Sequence, residues 1–245
     1  MTVFGSPHFD YAIVTSTNDL AREWAKANIT EGALFTASHQ TSGRGRRGRA
    51  WEDIPGQSAM MTFVARPAVD HAAVWKLPFA ASWATLLAVR SLGATGAMLK
   101  WPNDIVVDGK KLAGILVETA TTPIGLAALI GIGINVAQPE FAAASEYILP
   151  PTSLRMVVGD PHPSVPQAIA AVASNLGGGL AALDDPAAWT AMMAEWGANM
   201  LLGVTQIGID AAGQPLEGTI TAVRPSDGAA LIRTPTNEIV PIWPR

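Results

Sequence analysis

Apolar and polar positions along this chain follow two periods, and the switches between them outline the elements. An apolar strand ending near Val14 gives way to Thr15-Ser16-Thr17-Asn18-Asp19, a run of helix-capping side chains. Leu20, Ala21, Trp24 and Ala27 then recur at helical spacing, which predicts a helix from about Thr17 to Asn28. Ala33 to Ala37 and Met60 to Ala65 read as strands, and His71 to Leu92 reads as one long helix closed by Gly93 and Gly96. Met98 to Trp101 is a short strand stopped by the turn Pro102-Asn103-Asp104. Ile105-Val106-Val107 and Leu112 to Glu118 flank Asp108-Gly109-Lys110, a hairpin turn, and Leu126 to Val136 is a further strand. Pro150-Pro151 opens a loop, and helices follow over about Val165 to Leu183 and Pro186 to Asn199. From Met200 onward, short strands near Gln206, Gly218, Ala229 and Glu238 are parted by Gly, Pro and Asp. That spacing predicts a small barrel after residue 199, so the organisation is 1–199 followed by 200–245.

Composition narrows the class. The chain has 245 residues and is 49% hydrophobic, which suits a packed globule. A formal charge of −4 argues against general nucleic-acid affinity. No apolar run reaches the roughly 20 residues of a membrane span, and the N-terminus lacks the pattern of an export signal, so a cytoplasmic protein is the default. The absence of cysteine excludes disulfides and thiol chemistry.

One stretch departs from this acidic background. Gly43-Arg44-Gly45-Arg46-Arg47-Gly48-Arg49-Ala50-Trp51 holds four of the chain's 16 basic residues. Its glycines let backbone approach a ligand closely, and its guanidiniums suit carboxylate or phosphate oxygens. A solvated Arg-Gly patch is the plainer alternative, but a single copy between two strands favours an anion-handling loop within a fold. Fixing such a loop costs about 1–2 kcal/mol per residue, and four arginines that repel one another do not offset it. The loop is therefore expected to be mobile until an anionic ligand orders it.

Two lysines add to the picture. Lys100 ends one strand, and Lys111 opens another, where strict alternation puts it on the face of Ala113, Ile115 and Val117. Leu112 and Leu116 are also apolar, so the facing is ambiguous. Gly114 in mid-strand points to a close approach. Ser16 and Thr17 suit either a helix cap or a hydroxyl-lined site, and Asn103 and Asp104 suit a turn or a site equally. His39 and Gln40 end the strand feeding the arginine loop, where they face its floor. The four histidines are scattered, without zinc spacing, and Gly131-Ile132-Gly133-Ile134-Asn135 is a weak dinucleotide fingerprint because it ends a strand. The residues alone reach carboxylate or phosphate chemistry, of a ligase or transferase.

Beyond that point the motifs resemble those of the biotin protein ligases. The resemblance rests on Ser16-Thr17-Asn18, on the Gly43 to Trp51 loop, on Lys100-Trp101-Pro102-Asn103-Asp104, on Lys111 to Glu118 and on Gly131 to Asn135, all in that family's order. It implies an α/β (α+β) fold: a catalytic domain with a mixed sheet like that of class II aminoacyl-tRNA synthetases, then an SH3-like barrel. The implied activity has two half-reactions: biotin and Mg-ATP give biotinyl-5′-AMP, and a lysine of a biotin carboxyl carrier protein domain then takes the biotinyl group. ATP and Mg²⁺ are then co-substrate and activating ion, biotin is substrate, and no tightly bound prosthetic group is implied. Superfamily alternatives are a lipoate or octanoate ligase or transferase, and outside catalysis a biotin-binding or RNA-binding module.

The resemblance also implies roles. Arg46, Lys111 and Asp104 are the catalytic set, with Asp104 the carboxylate for Mg²⁺. Ser16, Thr17, Asn18, Gln40, Gly43, Arg44, Gly45, Arg46 and Lys111 hold biotin, and Gly114 admits its rings. Arg44, Arg46, Arg47, Arg49, Lys100, Asn103 and Asn135 attend the nucleotide, with Trp51 either on adenine or in the core. No DNA-binding region precedes residue 10, so neither DNA nor a membrane is an expected partner, and the sequence leaves monomer or homodimer open. The end at Trp243-Pro244-Arg245 falls short of the final strand usual in that family.

Overall fold

Strand alternation resolves into two sheets in a computed structural model of the chain, which describes residues 3–67, 71–141 and 149–244. β1 (His8–Val14), β2 (Leu34–Gln40), β3 (Ser58–Ala65), β4 (Met98–Lys100), β5 (Asp104–Val107), β6 (Lys110–Thr122) and β7 (Gly125–Asn135) form a seven-stranded sheet in the order β1-β2-β3-β7-β6-β5-β4. β1 and β2 run parallel and the remaining neighbours antiparallel, so the sheet is mixed. The helices are α1 (Thr17–Ala27), α2 (Leu77–Ser91), α3 (Leu154–Val158), α4 (Val165–Ala181) and α5 (Pro186–Ala198). The second sheet joins β8 (Thr205–Ile209), β9 (Pro215–Val223), β10 (Ala230–Arg233) and β11 (Ile239–Ile242) in the order β11-β10-β9-β8, all antiparallel. Ile209 and Trp243 bridge the first of these strands to the end of the last. Among the described residues no helix is long and apolar enough to cross a membrane.

Alternation assigns the two faces of the large sheet. Met61, Phe63 and Ala65 of β3, Ile130, Ile132 and Ile134 of β7 and Ala113 and Ile115 of β6 point to one side, where α2, α4 and α5 supply the rest of the main core. On the opposite face Ala21 and Ala25 of α1 pack with Phe35, Val64 and Leu129 in a smaller cluster. Beyond that cluster the same face, at Gly114, Gly131 and Gly133, becomes the floor of a cavity, with Asn18 of α1 over Gly131.

Two elements differ from the sequence reading. The long helix expected from His71 divides into a 3-10 turn over His71–Lys76 and then α2. Pro78 explains the break, because a residue without an N–H fits only the first turn of a helix. The loop expected after Pro151 contains α3: the Ser153 hydroxyl accepts from the Met156 N–H, and Gly159 ends the helix at φ +83°.

Candidate functional site

The face on which Lys111 stands is set by a bulge. Asp104 pairs with Gly114 and Ile105 with Ala113, but Val106 pairs with Lys111, so Leu112 is the extra residue on β6. The slip moves Lys111 off the Ala113–Ile115 face given by strict alternation and onto the face of Gly114 and Asp104. Leu112 enters the core instead. There the Lys111 Nζ lies 2.7 Å from Asp104 Oδ1, an ion pair rather than an aligned hydrogen bond.

Lys100 faces Asp104 across β4 and β5 and is only 8% exposed. Burial holds its ammonium below the usual lysine range, the Asp104 carboxylate opposes that shift, and Lys111 and Arg49 add to it. Arg46 reaches the same corner, its Nη1 donating to Asn103 Oδ1 at 3.3 Å. Burial and the neighbouring Arg47 lower the Arg46 value too. Asn103 is fixed in turn, its Nδ2 donating to the Ile115 carbonyl at 2.7 Å. Lys100, Lys111 and Arg46 thus gather at one corner with Asp104, an arrangement suited to an anion.

The opposite end of the cavity is polar, and Asn18 Nδ2 donates there to Glu118 Oε2 at 2.7 Å. The Thr17 N–H and hydroxyl lie 2.8 and 3.2 Å from Gln40 Oε1, and the Thr62 hydroxyl lies 2.8 Å from Thr17 Oγ1 and 2.6 Å from Asn18 Oδ1. Ser16 stands at the N-cap of α1, yet its side chain makes no capping bond and lines the cavity. Glycines make the room for this arrangement: a Cβ on Gly131 would sit 2.5 Å from Asn18 Oδ1 and 2.9 Å from the Leu116 carbonyl. Asn135, 5% exposed, donates to the Thr152 carbonyl at 3.0 Å.

Trp51 settles onto the glycine floor. A Cβ on Gly133 would meet its indole at 2.7 Å and one on Gly114 at 3.1 Å, and the Lys111 Nζ stands 5.6 Å from the ring centroid. Gly114 therefore leaves room here for Trp51 and Lys111, and the indole is half-buried at the cavity rather than part of the core.

Ser16, Thr17, Asn18, Gln40, Arg44, Gly45, Arg46, Arg47, Arg49, Trp51, Lys100, Asn103, Asp104, Lys111, Gly114 and Asn135 all line one cavity of about 600 Å³. Gly43 does not line it and serves the loop's base, its carbonyl accepting the Trp51 N–H at 2.9 Å. His39 turns away to Asp53, Nδ1 to Oδ2 3.0 Å. Val204 to Ile207 and Pro244 close one side, so the end of the small sheet reaches the cavity. Arg245 lies outside the described residues.

The arginine loop is better anchored than charge repulsion alone suggests. Arg44 Nη1 and Nη2 donate to Asp19 at 2.9 and 2.6 Å, and Arg44 also lies 3.5 Å from Glu118, which pairs with Arg22 at 3.1 Å. Gly45 N–H donates to the Arg49 carbonyl at 2.7 Å. The expectation that nothing offsets the four arginines fails at Arg44, whose charge is matched by these carboxylates. Strain concentrates beyond that anchor, at Arg47, where φ is +61°.

Asp19, Thr62 and Glu118 escaped the sequence reading. Asp19 resembles an ordinary acid in a helix's first turn. Thr62 was legible as the polar position of an apolar strand, and Glu118 as two steps of alternation beyond Gly114 and Leu116.

Asp19→Asn tests the anchor and is expected to raise the rate of proteolysis within Gly43 to Trp51 several-fold, leaving the circular dichroism spectrum unchanged. The Arg44 hydrogen bonds hold the Asp19 carboxyl below its usual range. Because the folded value lies below the unfolded one, the pair stabilises the loop above the carboxylate range and is lost as pH falls through it. The wild-type loop should therefore keep constant protection from neutral pH down to the carboxylate range. Loss of protection between pH 8 and 6 would refute the anchor.

With this geometry in view, likeness to known proteins carries weight. The Biotin/lipoate A/B protein ligase family matches residues 11–135, about half of the chain. The chain belongs to that family. Its motif segments and the whole cavity floor fall within the matched residues. A family relative, the Bifunctional ligase/repressor BirA of Bacillus subtilis, is 33% identical over 159 residues, which are 64% of this chain and 49% of that protein. The Biotin--[acetyl-CoA-carboxylase] ligase of Paracoccus denitrificans is 36% identical over 148 residues, 59% of this chain and 61% of that one. The matches thus span about half of the first and three-fifths of the second. Among solved structures, the biotin protein ligase from Aquifex aeolicus in complex with biotin and ATP superposes with a TM-score of 0.80 at 25% identity, over 97% of this chain and 95% of that one.

Proposed function

We propose that the chain is a biotin protein ligase, active in the cytoplasm, that makes biotinyl-5′-AMP from biotin and ATP and transfers biotin to a lysine of a biotin carboxyl carrier protein domain. The observation that supports it most directly is one cavity with a hydrogen-bonding end, a glycine floor and a cationic corner. Such a cavity suits a molecule with a polar neutral head, an apolar body and a carboxylate beside a nucleotide phosphate.

In the first step a carboxylate oxygen of biotin attacks the α-phosphorus, the bond to the β-phosphate oxygen breaks, and pyrophosphate leaves. Thr17, Asn18, Gln40 and Ser16 hold the head. Lys111 and Arg46 stand where negative charge accumulates, and Lys100, Arg47, Arg49 and Asn135 hold the nucleotide. Among the described residues no cluster of three or more metal-ligating side chains occurs, and Asp104 is paired with Lys111. Asp104 would be the carboxylate nearest a Mg²⁺ brought in with the nucleotide, which would supply charge neutralisation there. In the second step the acceptor amine attacks the acyl carbon, the bond to AMP breaks, and AMP leaves as the amine loses a proton. We also take residues 1–199 as the catalytic unit, like class II aminoacyl-tRNA synthetases, and 200–245 as an SH3-like barrel.

A lipoyl or octanoyl substrate fits the head pocket less well, because its apolar end brings no hydrogen-bonding groups to the polar end where Ser16, Thr17, Asn18 and Gln40 stand, whereas a ureido group does. Incubation with ATP, Mg²⁺, a carrier domain and either acid tests the choice. Mass spectrometry should find one biotinyl group on the acceptor lysine, and lipoyl or octanoyl transfer at equal rate would reject the reading.

A further inference from the structure

The cationic corner stands at the weakest edge of the large sheet. β4 has three residues and forms that edge, and among the described residues its backbone is tied beyond β5 only at Leu99, to Asn199 and Leu201. A strand so short does not by itself fix the turn that follows it, Trp101-Pro102-Asn103-Asp104. Asn103 and Asp104 are held from one side by β6, through Ile115 and Gly114, so what the edge still needs is a support behind Lys100 and Trp101.

The turn between β9 and β10 meets that need. The Trp101 indole is 1% exposed, and its Nε1 donates to the Gly228 carbonyl at 3.0 Å. A second indole grips the same turn, Trp189 Nε1 donating to the Pro225 carbonyl at 3.2 Å. Gly228 is seated without slack: φ is +71°, and a Cβ there would lie 2.6 Å from the Phe79 ring and 2.9 Å from Trp75. The turn is also rigid within itself. Arg224 makes a two-point pair with Asp227, the Gly228 N–H donates to the Arg224 carbonyl at 2.9 Å, and the Ala229 N–H donates to Asp227 at 3.2 Å.

We infer that this turn of the small sheet is a strut that positions the Lys100–Asp104 corner through the Trp101 indole, making Trp101 and Gly228 positioning residues for nucleotide activation. The inference rests on the proposed function and adds to it a reason why the small sheet bears on the first half-reaction. Trp101 follows Lys100 directly and precedes Asn103, so a shift of its ring moves both sides of the cationic corner. The polar pocket of Thr17, Asn18 and Gln40 is carried by α1 and β2 and does not depend on that ring.

The test uses the full chain with Trp101→Phe, which keeps an aromatic ring and removes the donor. Pyrophosphate release is followed against ATP concentration, and the affinity and stoichiometry for biotin alone are measured by calorimetry. We expect kcat for adenylation to fall about tenfold, the equivalent of one buried hydrogen bond, while biotin binds with unchanged stoichiometry and an affinity within about twofold. Asp227→Asn loosens the turn without touching the cavity, and it should lower kcat in the same way, by about threefold. Wild-type kcat in either variant overturns the strut, as does a kcat loss matched by loss of biotin-binding sites, which would signal unfolding alone. A wild-type chain that releases no pyrophosphate overturns the proposed function instead.

Discussion

Lys111→Met is expected to slow formation of biotinyl-5′-AMP by about a hundred- to a thousandfold, the range seen when one preorganised charge-stabilising donor is removed. Lys111 reaches the cavity only because of the bulge at Leu112, and it stands between the Trp51 ring and Asp104. Methionine keeps much of the length and apolar stem but presents no positive charge to the α-phosphate. The fold should survive, since Asp104 retains Lys100 directly across β4 and β5. Single-turnover pyrophosphate release measures the first half-reaction. Acyl transfer from preformed biotinyl-5′-AMP measures the second and should fall by less. A variant adenylating at the wild-type rate would remove Lys111 from the chemistry, and equal losses in both steps would show that it acts in binding instead.

Lys111 also shows where legibility in the sequence ends. The strand and its hairpin turn were plain from alternation and from Asp108-Gly109, but a bulge depends on which of two apolar neighbours packs better into the core, and only the tertiary structure decides that. Leu112 is fully buried and wins. Elements and motif order were legible because they depend on local periodicity and turn chemistry. The Arg44 anchor was not, because its carboxylates come from α1 and from β6, 25 residues before it and 74 after it in sequence. Reading the arginines as a single charged run treated them as equivalent. The structure sets them apart: Arg44 pairs with Asp19 and Glu118 at the loop's base, whereas Arg46 reaches Asn103.

Gly133→Ala should be nearly as damaging, for a different reason. The added Cβ would lie 2.7 Å from two indole atoms of Trp51, closer than such atoms approach, and β7 is held on both sides by β3 and β6. The backbone cannot yield, so the indole must leave the floor. Overpacking of this kind costs about 1–3 kcal/mol, and here it falls on the wall that Lys111 also touches, so adenylation should drop by about tenfold to a hundredfold. Coupling separates this mechanism from a general loss of stability. If the collision with the ring is the cause, Gly133→Ala combined with Trp51→Ala should lose less activity than the two single changes added together, because the smaller side chain no longer meets the new methyl group. Strict additivity in the double-variant cycle, measured by pyrophosphate release, would mean that the glycine serves something other than the tryptophan. The same logic places Gly131 under Asn18, so that alternate glycines on β7 each make room for a side chain of the cavity rather than for a nucleotide's phosphates.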